Sequence, residues 1–105
     1  MPTPPMTSRG FTVLALSRGS GVPKSTVDGF AKIMALLHEA RQAGANIQIA
    51  TDKIGLEGET RLCVDFTDPT LGGRLFTQAN ALTQGLELIN ITNEPCSAKQ
   101  QQTVR

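Results

Sequence analysis

The hydrophobic spacing switches repeatedly along the chain, and the order of those switches restricts the fold more than any single residue does. Residues 11 to 16 alternate with a period of two, after which Phe30, Ile33, Met34, Leu37 and Ala40 recur at helical spacing. Ile47 and Ile49, then Leu62, Val64 and Phe66, return to alternation. Leu71, Leu75, Ala79 and Leu82 resume the helical stripe, and residues 86 to 92 supply a last extended run. The resulting order is βαββαβ. Each strand-helix-strand unit brings the chain back beside its starting strand, so this order predicts a four-stranded antiparallel sheet with both helices on one face. A chain of 105 residues has material for one such core and not for two.

Local signals place the boundaries. Residues 1–10 contain Pro2, Pro4 and Pro5 and too little apolar surface to offset ordering entropy, so a flexible N-terminal arm is expected there. The single domain then spans 11–92, and residues 93–105, with Pro95 and a Gln run, are expected to form a flexible C-terminal tail. In the first strand Phe11, Val13 and Ala15 share one face, while Thr12, Leu14 and Leu16 share the other. Pro23 suits the first turn of the first helix, where its missing N–H costs nothing, and Ser25 with Asp28 has the spacing of a capping pair. Gly44 is expected to end that helix. The connection 53–59, with Gly55 and Gly58, is short enough to join antiparallel neighbours. Asp68 followed by Pro69 starts the second helix, Gly72 and Gly73 weaken its first turn, and Gly85 stops it.

Composition narrows the function classes. Ten Lys and Arg stand against nine Asp and Glu, giving a net charge of +1, so no strong field exists to hold nucleic acid or an anionic membrane. Trp and Tyr are absent, and Phe11 and Phe66 have the parity of core positions, which leaves the open sheet face without stacking aromatics. No apolar run reaches the length of a membrane span, and residues 1–10 lack the apolar stretch of a secretory signal; a cytoplasmic protein is expected. Cys63 falls in a strand and Cys96 in a polar tail, without Cys-x-x-Cys spacing, so both are expected to be free thiols, with no zinc site and with a pairing between them as the alternative. His38 is the lone histidine and has no carboxylate or thiol placed beside it by spacing, so no metal, cofactor or nucleophile-base pair is assigned. Cys63 is expected to serve as a small core hydrophobe rather than a nucleophile.

The segment from Arg18 to Thr26 follows a strand, opens a helix and approximates the phosphate loop Gly-x-x-x-x-Gly-Lys-Ser/Thr. Arg18 and Pro23 stand where that loop requires glycines, and Pro23 has no N–H to offer a phosphate, so a phosphate-loop hydrolase is rejected. A weaker expectation remains. Arg18, Gly19, Ser20, Gly21, Lys24, Ser25 and Thr26 lie beside a helix N-terminus, whose free N–H groups favour a small anion. The simpler account is that Gly and Ser turn the chain, Ser25 caps the helix and Lys24 is solvated.

Element order is similar to that of ferredoxin-like α+β sandwiches. Within that group the turn Gly21-Val22-Pro23 before the first helix, and Gly44-Ala45-Asn46-Ile47 leading into the second strand, resemble an ACT domain. The resemblance covers residues 11–92 and implies a regulatory module with an amino acid or small anionic ligand near residues 19–24 at a subunit interface. The family's usual Pro-Gly-Val order is absent, so its ligand contacts do not carry over. Acylphosphatases share the element order and grip phosphate through an Arg and an Asn; Arg18 lies in the corresponding loop and Asn46 begins the second strand, but the family's loop sequence is not matched, so the likeness is one of analogy.

With the first and third strands central, the face away from the helices is expected to show Leu14, Leu16, Arg61, Cys63 and Asp65. Leu14 and Leu16 then form an apolar patch for a second subunit, with Arg61 and Asp65 at its rim, so a homodimer through the sheet is expected. The alternative is that the tails flank these strands. The sequence thus favours a small binding or regulatory module. A phosphoester or acylphosphate hydrolase using Arg18 and Lys24, or a protein-interaction module without ligand, are the competing accounts.

Overall fold

The structure, a computed structural model, describes residues 7–96. It is α+β, with four strands and two helices: β1 (Gly10–Ala15), α1 (Lys24–Gln42), β2 (Ile47–Lys53), β3 (Thr60–Phe66), α2 (Pro69–Leu82) and β4 (Ile89–Thr92). The sheet order is β2-β3-β1-β4, and every neighbouring pair is antiparallel. Central positions therefore go to β1 and β3, with β2 and β4 at the edges.

Parity decides which side is core. Phe11, Val13 and Ala15 of β1 are buried, as are Leu62, Val64 and Phe66 of β3, and the register sets Phe11 opposite Val64 and Val13 opposite Leu62. Ile33 and Leu37 of α1 and Leu75 and Ala79 of α2 close over the same cluster. The rings of Phe66 and Phe76 stand 5.7 and 5.6 Å from that of Phe11, within the range of favourable tilted contacts.

Several local details differ from expectation. α1 begins at Lys24 with Pro23 as its N-cap, and Ser25 makes no capping hydrogen bond; Asp28 instead accepts from Lys24 Nζ one turn earlier. Gly44 ends α1 at φ 107°, a conformation that side chains with a Cβ rarely adopt, and follows the Ala43 C-cap. In α2 the Asp68 carboxylate accepts from Thr70 N–H and Pro69 takes the first position, as the sequence predicts. Gly72 proves to be a packing requirement rather than a mere weakness, because a Cβ there would lie 2.0 Å from the Ser8 carbonyl oxygen. Leu82, placed on the buried stripe by spacing, is 41% exposed; the stripe continues through Thr83, which donates to Ala79 C=O. β4 is shorter than the alternating run suggested, and Leu88 C=O accepts from Leu16 N–H just beyond the strands.

Of the expected arm and tail, only residues 7–10 and 93–96 are described. Residues 1–6 and 97–105 lie outside the described residues. From Ser8 the chain is tied down: its N–H donates to Pro69 C=O, and Phe66 N–H donates to Arg9 C=O. At the other end residues 93–96 pack onto the sheet, and Cys96 is only 6% exposed. The expected free thiols are a correction. Cys63 and Cys96 form a disulfide, with Cα atoms 5.2 Å apart. The polar composition of the segment after β4 carries no sign of packing, whereas the fold returns residue 96 to the middle of β3.

Candidate functional site

The loop from β1 to α1 meets the turn from α2 to β4 at one end of the sheet. Between them lies an open recess of about 260 Å³ bordered by Arg18, Ser25, Thr26, Gly85 and Glu87. Arg18 and Glu87 form an ion pair across it, and both side chains are mostly exposed, at 68% and 78%. Lys24 is likewise engaged, by Asp28 at 3.1 Å. Ser17 Oγ donates to Glu59 and receives the Gly19 N–H. Gly19, Ser20 and Gly21 lie in the β1–α1 loop, Ser25 is exposed and Thr26 buried in the first turn of α1, and each cation beside them already faces a carboxylate. The loop is consequently a paired-charge site rather than a simple positive one, a property hidden in the sequence because Glu87 lies 69 residues from Arg18.

Arg18 and Asn46 do not converge. β2 runs in the direction of β1, with Gln48 in the row of Asp65 and Gly10 and Lys53 in the row of Thr60 and Ala15. Asn46 therefore precedes one end of the sheet and Arg18 follows the other, about 20 Å apart at ~3.3 Å per strand residue. No single phosphate touches both. His38 is partly buried on the side of α1, with Nδ1 3.1 Å from Arg41. Among the described residues no group of three His, Cys, Asp or Glu is arranged to hold a metal ion.

The face of the sheet opposite α1 and α2 is built in rows. Asp52, Arg61, Leu14 and Asn90 form one, and Ala50, Cys63, Thr12 and Thr92 the next. Leu14, Arg61, Cys63 and Asp65 occupy this face as expected. Leu16 falls beyond β1, in the connection to the loop. Arg61 pairs not with Asp65 but with Asp52 on β2, through Nε to Oδ1 at 3.1 Å and Nη2 to Oδ2 at 2.7 Å. Register explains this choice: Asp52 is directly opposite Arg61, while Asp65 lies four residues along the same strand. Asp65 Oδ1 is buried and accepts no hydrogen bond.

The centre of this face is covered by the chain's own residues 93–96. Thr12 Oγ1 donates to Glu94 C=O at 2.7 Å, and Thr12 is 1% exposed despite pointing away from the helices. A Cβ on Gly10 would lie 2.6 Å from Pro95 Cβ, so the glycine permits the close crossing.

A second opening, missed by sequence reasoning, lies between the end of α1 and the start of α2. Ala40, Ala43 and Ala45 face Leu71, Arg74 and Gln78 across about 700 Å³ of open cleft. Small residues at the helix ends are its only sequence signal. Among the described residues no helix is long and apolar enough to cross a membrane. No protein-family model matches this chain, and neither a curated protein nor a solved structure shows significant similarity to it.

Proposed function

We propose that this chain is a small, non-catalytic binding or regulatory module on a ferredoxin-like frame, taking a zwitterionic or small anionic ligand such as an amino acid beside the β1–α1 loop. The observation that carries the reading is the Arg18–Glu87 pair across the recess. A free amino acid has a carboxylate for the guanidinium and an ammonium for the carboxylate, so it can insert between the two groups and leave neither charge unpaired. Opening the pair is inexpensive, since solvent-exposed ion pairs contribute only about 0–1 kcal/mol. Ser25, exposed at the first turn of α1, borders the same recess and offers a hydroxyl for a further polar contact.

A homodimer through the sheet belongs to the same proposal. Its contact would centre on Leu14 and the Arg61–Asp52 pair, since the neighbouring row is already covered by residues 93–96. Cytoplasmic localisation is also part of it, and implies that the Cys63–Cys96 bond meets a reducing environment.

Calorimetric titration with an amino-acid panel and with inorganic phosphate, beside an acylphosphate hydrolysis assay, tests the reading. Binding of an amino acid without turnover, weakened roughly tenfold or more (about 1.4 kcal/mol) by both Arg18→Ala and Glu87→Gln, is the expected result. Phosphate binding that Glu87→Gln strengthens points to a purely anionic ligand. Turnover lost on Arg18→Ala supports the hydrolase instead, and silence in every arm sinks the ligand reading.

A further inference from the structure

The chain leaves the sheet ladder after Thr92 and turns across the face opposite α1 and α2. Residues 93–96 form a strap there. Ser8 Oγ lies 2.8 Å from Asn93 Oδ1, Pro95 rests on Gly10, and Cys96 is bonded to Cys63 in the middle of β3. Beneath the strap are Gly10, Thr12 and Cys63, on two central strands.

We propose that the Cys63–Cys96 disulfide is a redox latch, which keeps the strap across the sheet in the oxidised protein and lets a dithiol uncover that face. The reductant's thiolate attacks one sulfur and forms a mixed disulfide, releasing the other sulfur as a thiolate. Its second thiol then displaces the first sulfur. Two electrons and two protons pass to Cys63 and Cys96, and the reductant leaves as its own disulfide.

Two features make this bond a latch rather than a staple for the whole domain. The core cluster is gathered on the helix side, from Phe11, Val13, Ile33, Leu37, Leu62 and their neighbours, and contains neither cysteine. Opening the bond therefore removes no contact from that cluster. The strap also lies outside the β4 ladder, so the cross-link adds to the Ser8–Asn93 and Thr12–Glu94 hydrogen bonds in offsetting the entropy of ordering the segment. Residue 96 is tied to a position 33 residues away, and cutting that tie restores the segment's freedom without changing any strand register. The outcome is a sheet face whose exposure depends on thiol state. The inference uses neither the ligand recess nor a dimer, so it stands or falls separately from the function proposed above.

The test uses the full chain. Wild type purified without reductant should show no free thiol by intact mass after alkylation; two free thiols there overturn the latch. In Cys96→Ser, iodoacetamide should label Cys63 under native conditions within about tenfold of its rate in denaturant, while amide exchange shows β1 and β3 still protected. Slower labelling in a folded variant means that other contacts hold the strap, and loss of protection throughout β1 and β3 means that the bond is a global staple; either result refutes the proposal. A serine at 96 also changes the packing of a buried position, so dithiol-treated wild type followed by exchange provides the second measurement, with the same expected and refuting outcomes.

Discussion

Gly72→Ala offers a clear test of the packing described here, because two opposing effects meet at one position. Replacing a helical glycine by alanine normally stabilises by up to about 1 kcal/mol, through lost freedom in the unfolded chain and better helix propensity. At Gly72 the added Cβ would sit 2.0 Å from the Ser8 carbonyl oxygen and 2.7 Å from Phe66 Cδ2. Neither neighbour yields readily. Ser8 is held through its N–H to Pro69 C=O, and Phe66 is a core ring only 5% exposed. Over-packing of this kind costs about 1–3 kcal/mol and rises when backbone must move, so the net expectation is a loss of about 2 kcal/mol. For a domain of this size that lowers Tm by roughly 10 °C. Thermal and urea unfolding followed by far-ultraviolet circular dichroism reads the change. Gly29→Ala is the comparison, since its Cβ would meet the Leu86 Cδ1 methyl at 2.7 Å, the free end of a side chain that can rotate away. That variant should stay within about 1 kcal/mol of wild type. If Gly72→Ala matches or exceeds wild-type stability, or the two variants lose equally, the backbone contact is not the deciding term.

Two further outcomes follow from the same geometry. Asp68→Ala removes the acceptor for Thr70 N–H and should cost about 1 kcal/mol in urea denaturation, while Asp68→Asn should retain most of it. Reducing the Cys63–Cys96 bond, which closes a 33-residue separation, should lower unfolding free energy by up to about 4 kcal/mol on loop-closure entropy, less what the freed strap regains in the folded state, leaving a weaker but still cooperative transition. A difference near zero between oxidised and reduced urea midpoints would mean that the unfolded chain gains little freedom when the bond opens.

The order of elements, the buried parity of β1 and β3, the α1 stripe and the Asp68–Pro69 start could all be read from the chain, because each depends on residues close together in sequence. Periodicity reports which side of an element is apolar, and a cap reports where its backbone begins. Leu82 shows the limit of that logic, since a stripe at correct spacing runs past the edge of what the sheet can cover. Gly72 shows another, as only the approach of Ser8 and Phe66 turns a poor helix former into a required one. For the candidate site, the loop itself was visible, but its charge state was not. Arg18 looks like a free cation until Glu87 is placed beside it, whereas the Lys24–Asp28 pair, one helical turn apart, lies within reach of spacing alone. The disulfide was misjudged for the same reason, because a segment rich in polar residues gives no local sign that it will cross a sheet. The sequence by itself determined which elements form and which faces they bury, as these are nearest-neighbour properties of the backbone. Tertiary structure alone decided the partners of Arg18, Arg61, Gly72 and Cys63, because a pairing between distant residues exists only after the sheet register has brought them within reach.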